Sequence, residues 1–295
     1  MSKDINDSTF ILVNHLCVGG GTSNITMVDV FGGSGNSMNR RGPRGPMGPR
    51  GFAGSIKDLC ECLPRTVLNN LQTHDNLATF FLEDLSKDIE KDGKEVKTWI
   101  SRSMEKMNLV GKKPSSDLIK LKHYENRYAL GFEKNNYCCP GITFLANAPG
   151  STEFLCITFK VFGDADGVLI TNRQKDGDPT DECEIRVSAT EIYLNLYDTT
   201  EIIQHSCKDW TTLYIECNSD EDTTYCKYDV NGVTGSFTRS PNYGSEFSCW
   251  LGSRSDDTMF FNGQVAAVEV YEADHSSGVP DALKKLVIQN QRFIY

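Results

Sequence analysis

Residues 210–232 read Trp210-Thr-Thr-Leu-Tyr-Ile-Glu-Cys-Asn-Ser-Asp-Glu-Asp-Thr-Thr-Tyr-Cys-Lys-Tyr-Asp-Val-Asn-Gly232. Two runs rich in β-branched and aromatic residues, Leu213–Cys217 and Tyr225–Val230, flank the acidic triplet Asp220-Glu221-Asp222. Such residues fit a pleated, half-buried surface. The Asn231-Gly232 pair that follows supplies two residues tolerant of positive φ, the requirement of a tight hairpin turn. The stretch therefore predicts two antiparallel strands followed by a tight turn.

Working outward, Arg127–Glu133, Phe154–Phe162, Val168–Asn172, Cys183–Val187, Glu191–Tyr197, Cys249–Gly252 and Gln264–Tyr271 share that composition. Asp166-Gly167, Asp176-Gly177 and Asn262-Gly263 read as further turns. Nine or more short strands at this spacing predict an antiparallel sandwich or barrel.

Several of these phrases together resemble the concanavalin A-like jelly roll of laminin G and pentraxin domains. They are Glu184-Ile-Arg-Val, Glu191-Ile-Tyr-Leu, Trp210-Thr-Thr-Leu-Tyr-Ile, Tyr228-Asp-Val-Asn-Gly, Leu251-Gly-Ser-Arg-Ser and Phe261-Asn-Gly-Gln-Val-Ala-Ala-Val-Glu-Val-Tyr. The resemblance covers roughly 123–272. It implies two packed antiparallel sheets with ligands on edge loops or on a sheet face. The fold serves lectins, adhesion modules, fibre heads and glycosidases, so it does not by itself fix a function.

The N-terminal side has a different character. Glycine stands at Gly42, Gly45, Gly48, Gly51 and Gly54, and proline follows the first three of them. Only glycine fits the crowded axis of a triple helix, so this run predicts a short collagen-like stem; a Pro/Gly linker is the alternative. Ahead of it, residues 1–41 hold two apolar runs, Ser8–Val18 and Ile25–Phe31, that suit short strands or a flexible tail. Behind it, Ile56, Leu59, Cys60, Leu63, Val67, Leu68 and Leu71, then Val96, Trp99, Ile100, Met104 and Met107, recur at helical spacing. Residues 55–122 are therefore expected as a mostly helical neck, and Lys87–Lys97 as a solvated charged run. Within residues 273–295, Asp281–Gln291 has helical period and Phe293-Ile294-Tyr295 suits a last strand.

The expected architecture is thus mainly β: an antiparallel jelly-roll sandwich with a small helical neck and a short collagen-like segment. The organisation reads 1–41 N-terminal segment, 42–54 stem, 55–122 neck, 123–272 sandwich and 273–295 C-terminal helix and tail.

Candidate chemistry is sparse. Tyr193, Tyr197, Trp210 and Trp250 are candidates for a glycan-stacking face, although aromatic residues in a sandwich also build its core. Relatives of laminin G domains often bind calcium, and the acidic turns at Asp164, Asp166, Asp176 and Asp178 carry the hard oxygens that calcium takes; surface turns use the same residues for backbone reasons. Glucanases on this fold pair carboxylates on one strand, and Glu182-Cys-Glu184 is the nearest string here, without the central acid. His15, His74, His123, His205 and His275 are scattered, with no nucleophile elbow. The chain has 11 cysteines. Cys60-x-Cys62 and Cys138-Cys139 lack zinc spacing. Cys156, Cys217 and Cys249 suit core thiols, while Cys207, Cys217 and Cys226 are close enough for a hairpin disulfide in an oxidising compartment. No resident cofactor is expected.

The chain has 295 residues, a formal net charge of −10 and 24% charged residues. General nucleic-acid binding needs a basic surface, so that class is not expected. The longest apolar stretch, Phe10–Val18, is interrupted by Asn14 and His15, too short for a membrane span and unlike a secretory signal. Localisation is open: the architecture suits an extracellular or fibre-like surface, where Asn6-Asp-Ser8 and Asn24-Ile-Thr26 would be glycosylation sequons. The charge is unevenly spread, with net +2 over 1–54, +1 over 55–122 and −13 over 123–295. The expected function is non-enzymatic recognition or attachment: a homotrimer presenting heads to a glycan or protein ligand. A monomeric matrix or adhesion protein and a glycoside hydrolase are the alternatives.

Overall fold

The computed structural model describes residues 75–103, 107–121, 127–140, 144–145, 150–174, 183–241, 247–273 and 281–292. All belong to one compact unit, Leu71–Tyr295. The N-terminal segment 1–41, the stem glycines Gly42, Gly45, Gly48, Gly51 and Gly54, the first helical run of the neck and the C-terminal Phe293–Tyr295 lie outside the described residues.

The strands run β1 (Asp75–Phe81), β2 (Ile89–Asp92), β3 (Glu95–Trp99), β4 (Leu109–Ser115), β5 (Leu118–Lys120), β6 (Tyr128–Glu133), β7 (Asn136–Pro140), β8 (Thr152–Val161) and β9 (Gly167–Gln174). They continue with β10 (Cys183–Val187), β11 (Glu191–Leu196), β12 (Thr199–Gln204), β13 (Thr211–Ser219), β14 (Thr224–Val230), β15 (Val233–Arg239), β16 (Phe247–Leu251) and β17 (Asn262–Ala273). Two helices complete the description, α1 (Leu85–Asp88) and α2 (Asp281–Arg292).

The strands form two antiparallel sheets. One has the order β15-β14-β13-β8-β17-β6-β5, with β1 also on β17; the other runs β12-β11-β10-β9-β16-β7-β4-β3-β2. The chain crosses between sheets at β1–β2, β4–β5, β6–β7, β7–β8, β8–β9, β12–β13, β15–β16 and β16–β17, so the central neighbours β8–β17 and β9–β16 are distant in sequence. This nesting gives the jelly-roll sandwich expected from the sequence. The inner faces alternate apolar residues toward one core, among them Leu155, Ile157 and Phe159 of β8 and Ile192, Leu194 and Leu196 of β11. All nine strands read from composition are present. The Asn231-Gly232 turn joins β14 to β15 with φ of 49° and 95°, the signature of a two-residue hairpin loop.

Three expectations are corrected. The neck is not helical over its described part: residues 75–103 and 107–120 hold β1–β5 and the four-residue α1, while Met104 lies outside the described residues. The sandwich accordingly begins at Asp75 rather than 123. The cause is a β-bulge. In β3, Glu90 and Lys91 of β2 face Thr98 and Val96, leaving Lys97 as the extra residue. A bulge turns positions three apart onto one face, so Val96 and Trp99 are both buried at a spacing that imitates a helix. The third correction is Asn262-Gly263, which opens β17 instead of turning a hairpin. A Cβ on Gly263 would overlap the Lys160 carbonyl oxygen, so this glycine serves close strand packing.

α2 lies where its period placed it. Val287 and Ile288 are buried, and Gln291 donates to the Cys156 carbonyl (2.9 Å) and to Glu269 Oε1 (3.0 Å) while its own oxygen accepts from Thr158 (2.9 Å). The helix therefore covers the outer side of β8 and β13, with Gln291 reaching β17 through Glu269. No helix among the described residues is long and apolar enough to cross a membrane.

Candidate functional site

β10 and β11 decide which side chains face outward on the nine-stranded sheet. Ile185, Val187, Ile192 and Leu194 point into the core, so Glu184, Arg186, Tyr193 and Asn195 take the opposite face. On β16, Cys249 and Leu251 are core residues and Trp250 is turned out, half-buried. The register lines these positions up: Trp250 faces Thr171, Thr171 faces Glu184, Glu184 faces Asn195 and Asn195 faces Thr200. Arg186, Tyr193 and Ile202 form a second row beside it.

Polar contacts join the first row. Thr200 donates to Asn195 Oδ1 (3.0 Å), and Asn195 Nδ2 donates to Glu184 Oε1 (3.3 Å). Arg254 forks onto the buried Glu184 carboxylate, Nε to Oε2 at 2.6 Å and Nη2 to Oε1 at 3.2 Å. That bidentate geometry is the strong form of the pair. Arg254 comes from the Gly252–Phe261 loop, which is pinned on several sides. Gly252 N donates to the Leu169 carbonyl, and Asn136 donates to Ser253 (2.8 Å) and Asp257 (2.6 Å). Lys113 pairs with Asp257 at 2.9 Å; together with Asn136 it holds the Asp257 carboxyl below the usual range.

In the second row the Arg186 guanidinium sits 4.2 Å over the Tyr193 ring, a cation–π contact. The Tyr193 hydroxyl donates to Glu191, which also accepts from Gln204 at 2.6 Å. These two bonds, Tyr193's first, hold Glu191 below its ordinary pKa. The buried Nε of Arg186 has no hydrogen-bond partner among the described residues, leaving an unspent donor. Ile202, half exposed, completes a small apolar margin.

Of the four aromatic candidates, the structure brings Tyr193 and Trp250 to one face. With strands about 4.8 Å apart and residues about 3.3 Å along a strand, they stand roughly 16 Å from each other. Tyr197 occupies the β11–β12 turn at φ 57°, with Arg239 over its ring at 4.9 Å. Trp210 packs on Leu121, Ala129, Ala266 and Ala267 of the other sheet. Among the calcium candidates, Asp164 pairs with Lys208 at 2.9 Å and Asp166 is exposed, while Asp176 and Asp178 lie outside the described residues. No group of three metal-ligating side chains occurs among the described residues. Arg186, Asn195 and Thr171 were not read as site residues from sequence. The polar positions alternating with apolar ones in β10 and β11 carried that signal, whereas Arg254 reaches Glu184 from 70 residues away.

No family model matches this sequence, and no curated protein matches it. Among solved structures, the chain is similar to domain 4 of AbnA, a GH43 extracellular arabinanase from Geobacillus stearothermophilus, in complex with arabinotriose. Identity is 12%, over 74% of this chain and 100% of that one, with a TM-score of 0.46. The botulinum neurotoxin serotype D binding domain gives 8% identity over 74% of this chain and 52% of that one, TM-score 0.45. The Ruminococcus gnavus IT-sialidase CBM40 bound to alpha2,3 sialyllactose gives 13% over 48% and 83%, TM-score 0.37. At these identities and scores the likenesses carry no functional weight.

Proposed function

We propose that the outer face of the nine-stranded sheet binds a glycan and that the protein is a non-enzymatic recognition or attachment protein. The observation that supports this most is the Trp250–Thr171–Glu184–Asn195–Thr200 row with the Arg186–Tyr193 stack beside it. Sugar recognition combines a flat aromatic surface with fixed hydrogen-bonding groups. Trp250 offers the first; Asn195, Thr200, Arg186 and the braced Arg254 offer the second. Thr171 and Glu184 in the middle of the row are buried, so the groups open to a sugar are Trp250, Asn195, Thr200 and the Arg186–Tyr193 pair; a neutral oligosaccharide is in keeping with the acidity of residues 123–295.

Binding is favoured over hydrolysis by the contacts of Glu184. Its carboxylate is buried and taken up by Arg254 and Asn195, so it braces the sheet face and is not presented to a leaving group. If Glu184 were catalytic, Glu184→Gln would abolish β-glucan release; on the present reading there is no release to abolish. In the whole protein, the collagen-like register of residues 42–54 would gather three such heads, and linked heads convert weak contacts into avid attachment.

The test is a glycan array of neutral and anionic oligosaccharides probed with the full chain, Trp250→Ala and Arg186→Ala. Neutral oligosaccharides should be retained, and each substitution should weaken retention by about tenfold or more. Retention that survives both substitutions, or no retention of any neutral glycan, overturns the assignment.

A further inference from the structure

Cys217 and Cys226 face each other directly across the β13–β14 ladder. Residues opposed in an antiparallel pair have Cα atoms about 4.5–5.5 Å apart, inside the window that a disulfide requires. Their sulfurs are 2.7 Å apart. Both are buried, as are all eight cysteines of the described residues, yet their surroundings differ. Cys139 and Cys207 are pushed up to about 12 by burial alone or nearly so, which keeps them as inert thiols. At the pair, Cys217 and Cys226 share a hydrogen bond between their sulfurs, and the Arg239 guanidinium lies beside Cys226. Both influences draw Cys226 below its ordinary value despite burial. Arg239 is itself fixed by the Leu145 carbonyl (2.6 Å) and the Ser240 carbonyl (2.9 Å). It stands on β15, the exposed edge strand of its sheet. Few buried side chains hold such an edge, so it opens locally before the core does.

We propose that Cys217 and Cys226 are a modification site: they close a cross-strand disulfide on exchange with a low-molecular-weight disulfide such as oxidised glutathione. The Cys226 thiolate attacks one sulfur of the oxidant and releases one glutathione thiolate. Cys217, once deprotonated, attacks the Cys226 side of the mixed disulfide and releases the second. Two thiols thus lose two electrons and two protons, and one glutathione disulfide becomes two glutathiones. The bond staples the 217–226 hairpin and, through it, the edge that carries Arg239.

The full chain itself reports the outcome, because Lys208 and Lys227 bracket both cysteines on one tryptic peptide, residues 209–227. The chain is incubated with oxidised glutathione, denatured, alkylated and digested without reductant. The peptide should emerge unalkylated and two hydrogens lighter than its reduced form. It should lose its thiols at least about fivefold faster than any other cysteine pair. Cys226→Ser should leave Cys217 alkylated, and oxidation of the parent chain should raise its melting temperature by on the order of 5–10 °C. A 209–227 peptide that carries two alkyl groups after other cysteines have oxidised overturns the proposal. So does a peptide in which either cysteine is joined to a third.

Discussion

Single side chains show how differently equal-looking charges act in this molecule. Asp88 is buried and accepts from the backbone N–H groups of Glu83 (2.8 Å) and Asp84 (2.7 Å). Arg102 donates to it through Nε at 2.6 Å and reaches Glu83 through Nη1 at 2.6 Å. Arg102→Ala leaves a buried carboxylate without its cation and should cost about 3–5 kcal/mol in urea unfolding. Lys208, exposed and paired with exposed Asp164, should change stability by less than about 1 kcal/mol when replaced by alanine. Acid should act through a different set. Lys87 holds Asp84 at about 2, and Asp198, Asp256, Asp257 and Glu191 are also held low by hydrogen-bond donors. A carboxyl lowered in the folded state stabilises above its unfolded pKa and loses that contribution as pH falls through the folded value. The melting temperature should therefore be level near neutrality and decline below about pH 4. A level curve down to pH 3 would show that these contacts do not persist in solution.

At the scale of elements, glycine and the bulge decide where strands run. Gly263 sits where a Cβ would strike the Lys160 carbonyl oxygen and the Phe261 ring. Gly263→Ala should destabilise the fold by about 1–3 kcal/mol, measured by chemical unfolding, because backbone cannot retreat as a side chain can. The Phe-x-Gly phrase at the start of the closing strand was legible in the sequence, but its meaning was not. An Asn-Gly pair scores as a turn wherever it stands, and only the neighbouring β8 makes it a strand residue. The same holds for Val96 and Trp99. A side-chain period of three or four belongs to a helix unless a bulge supplies it, and a bulge exists only with respect to a partner strand. β12 and β15 are edge strands, which need little apolar content, so composition marks them weakly; β7 is central and buried but only five residues long. β15 is exposed at most of its positions.

For the whole molecule, the prediction that matters is assembly. The five glycines in register at 42–54 require three chains if they form a triple helix. Sedimentation of the full chain at micromolar concentration should give a trimer, and a monomer would leave the segment as a linker. The site was legible only in halves. Tyr193 and Trp250, aromatic candidates in the sequence, both stand on the outer face of one sheet. Tyr197 and Trp210, candidates by the same composition, pack against Arg239 and against the eight-stranded sheet. By itself the sequence determined the fold class, nine strands, the β14–β15 turn and the C-terminal helix. These follow from local composition and period, which act between residues near in the chain. Tertiary structure alone decided that the sandwich begins at Asp75, that Arg254 braces Glu184 and that Cys217 meets Cys226. Each depends on which strand lies beside which, and in a jelly roll that pairing is fixed by burial of a shared core across long sequence separations.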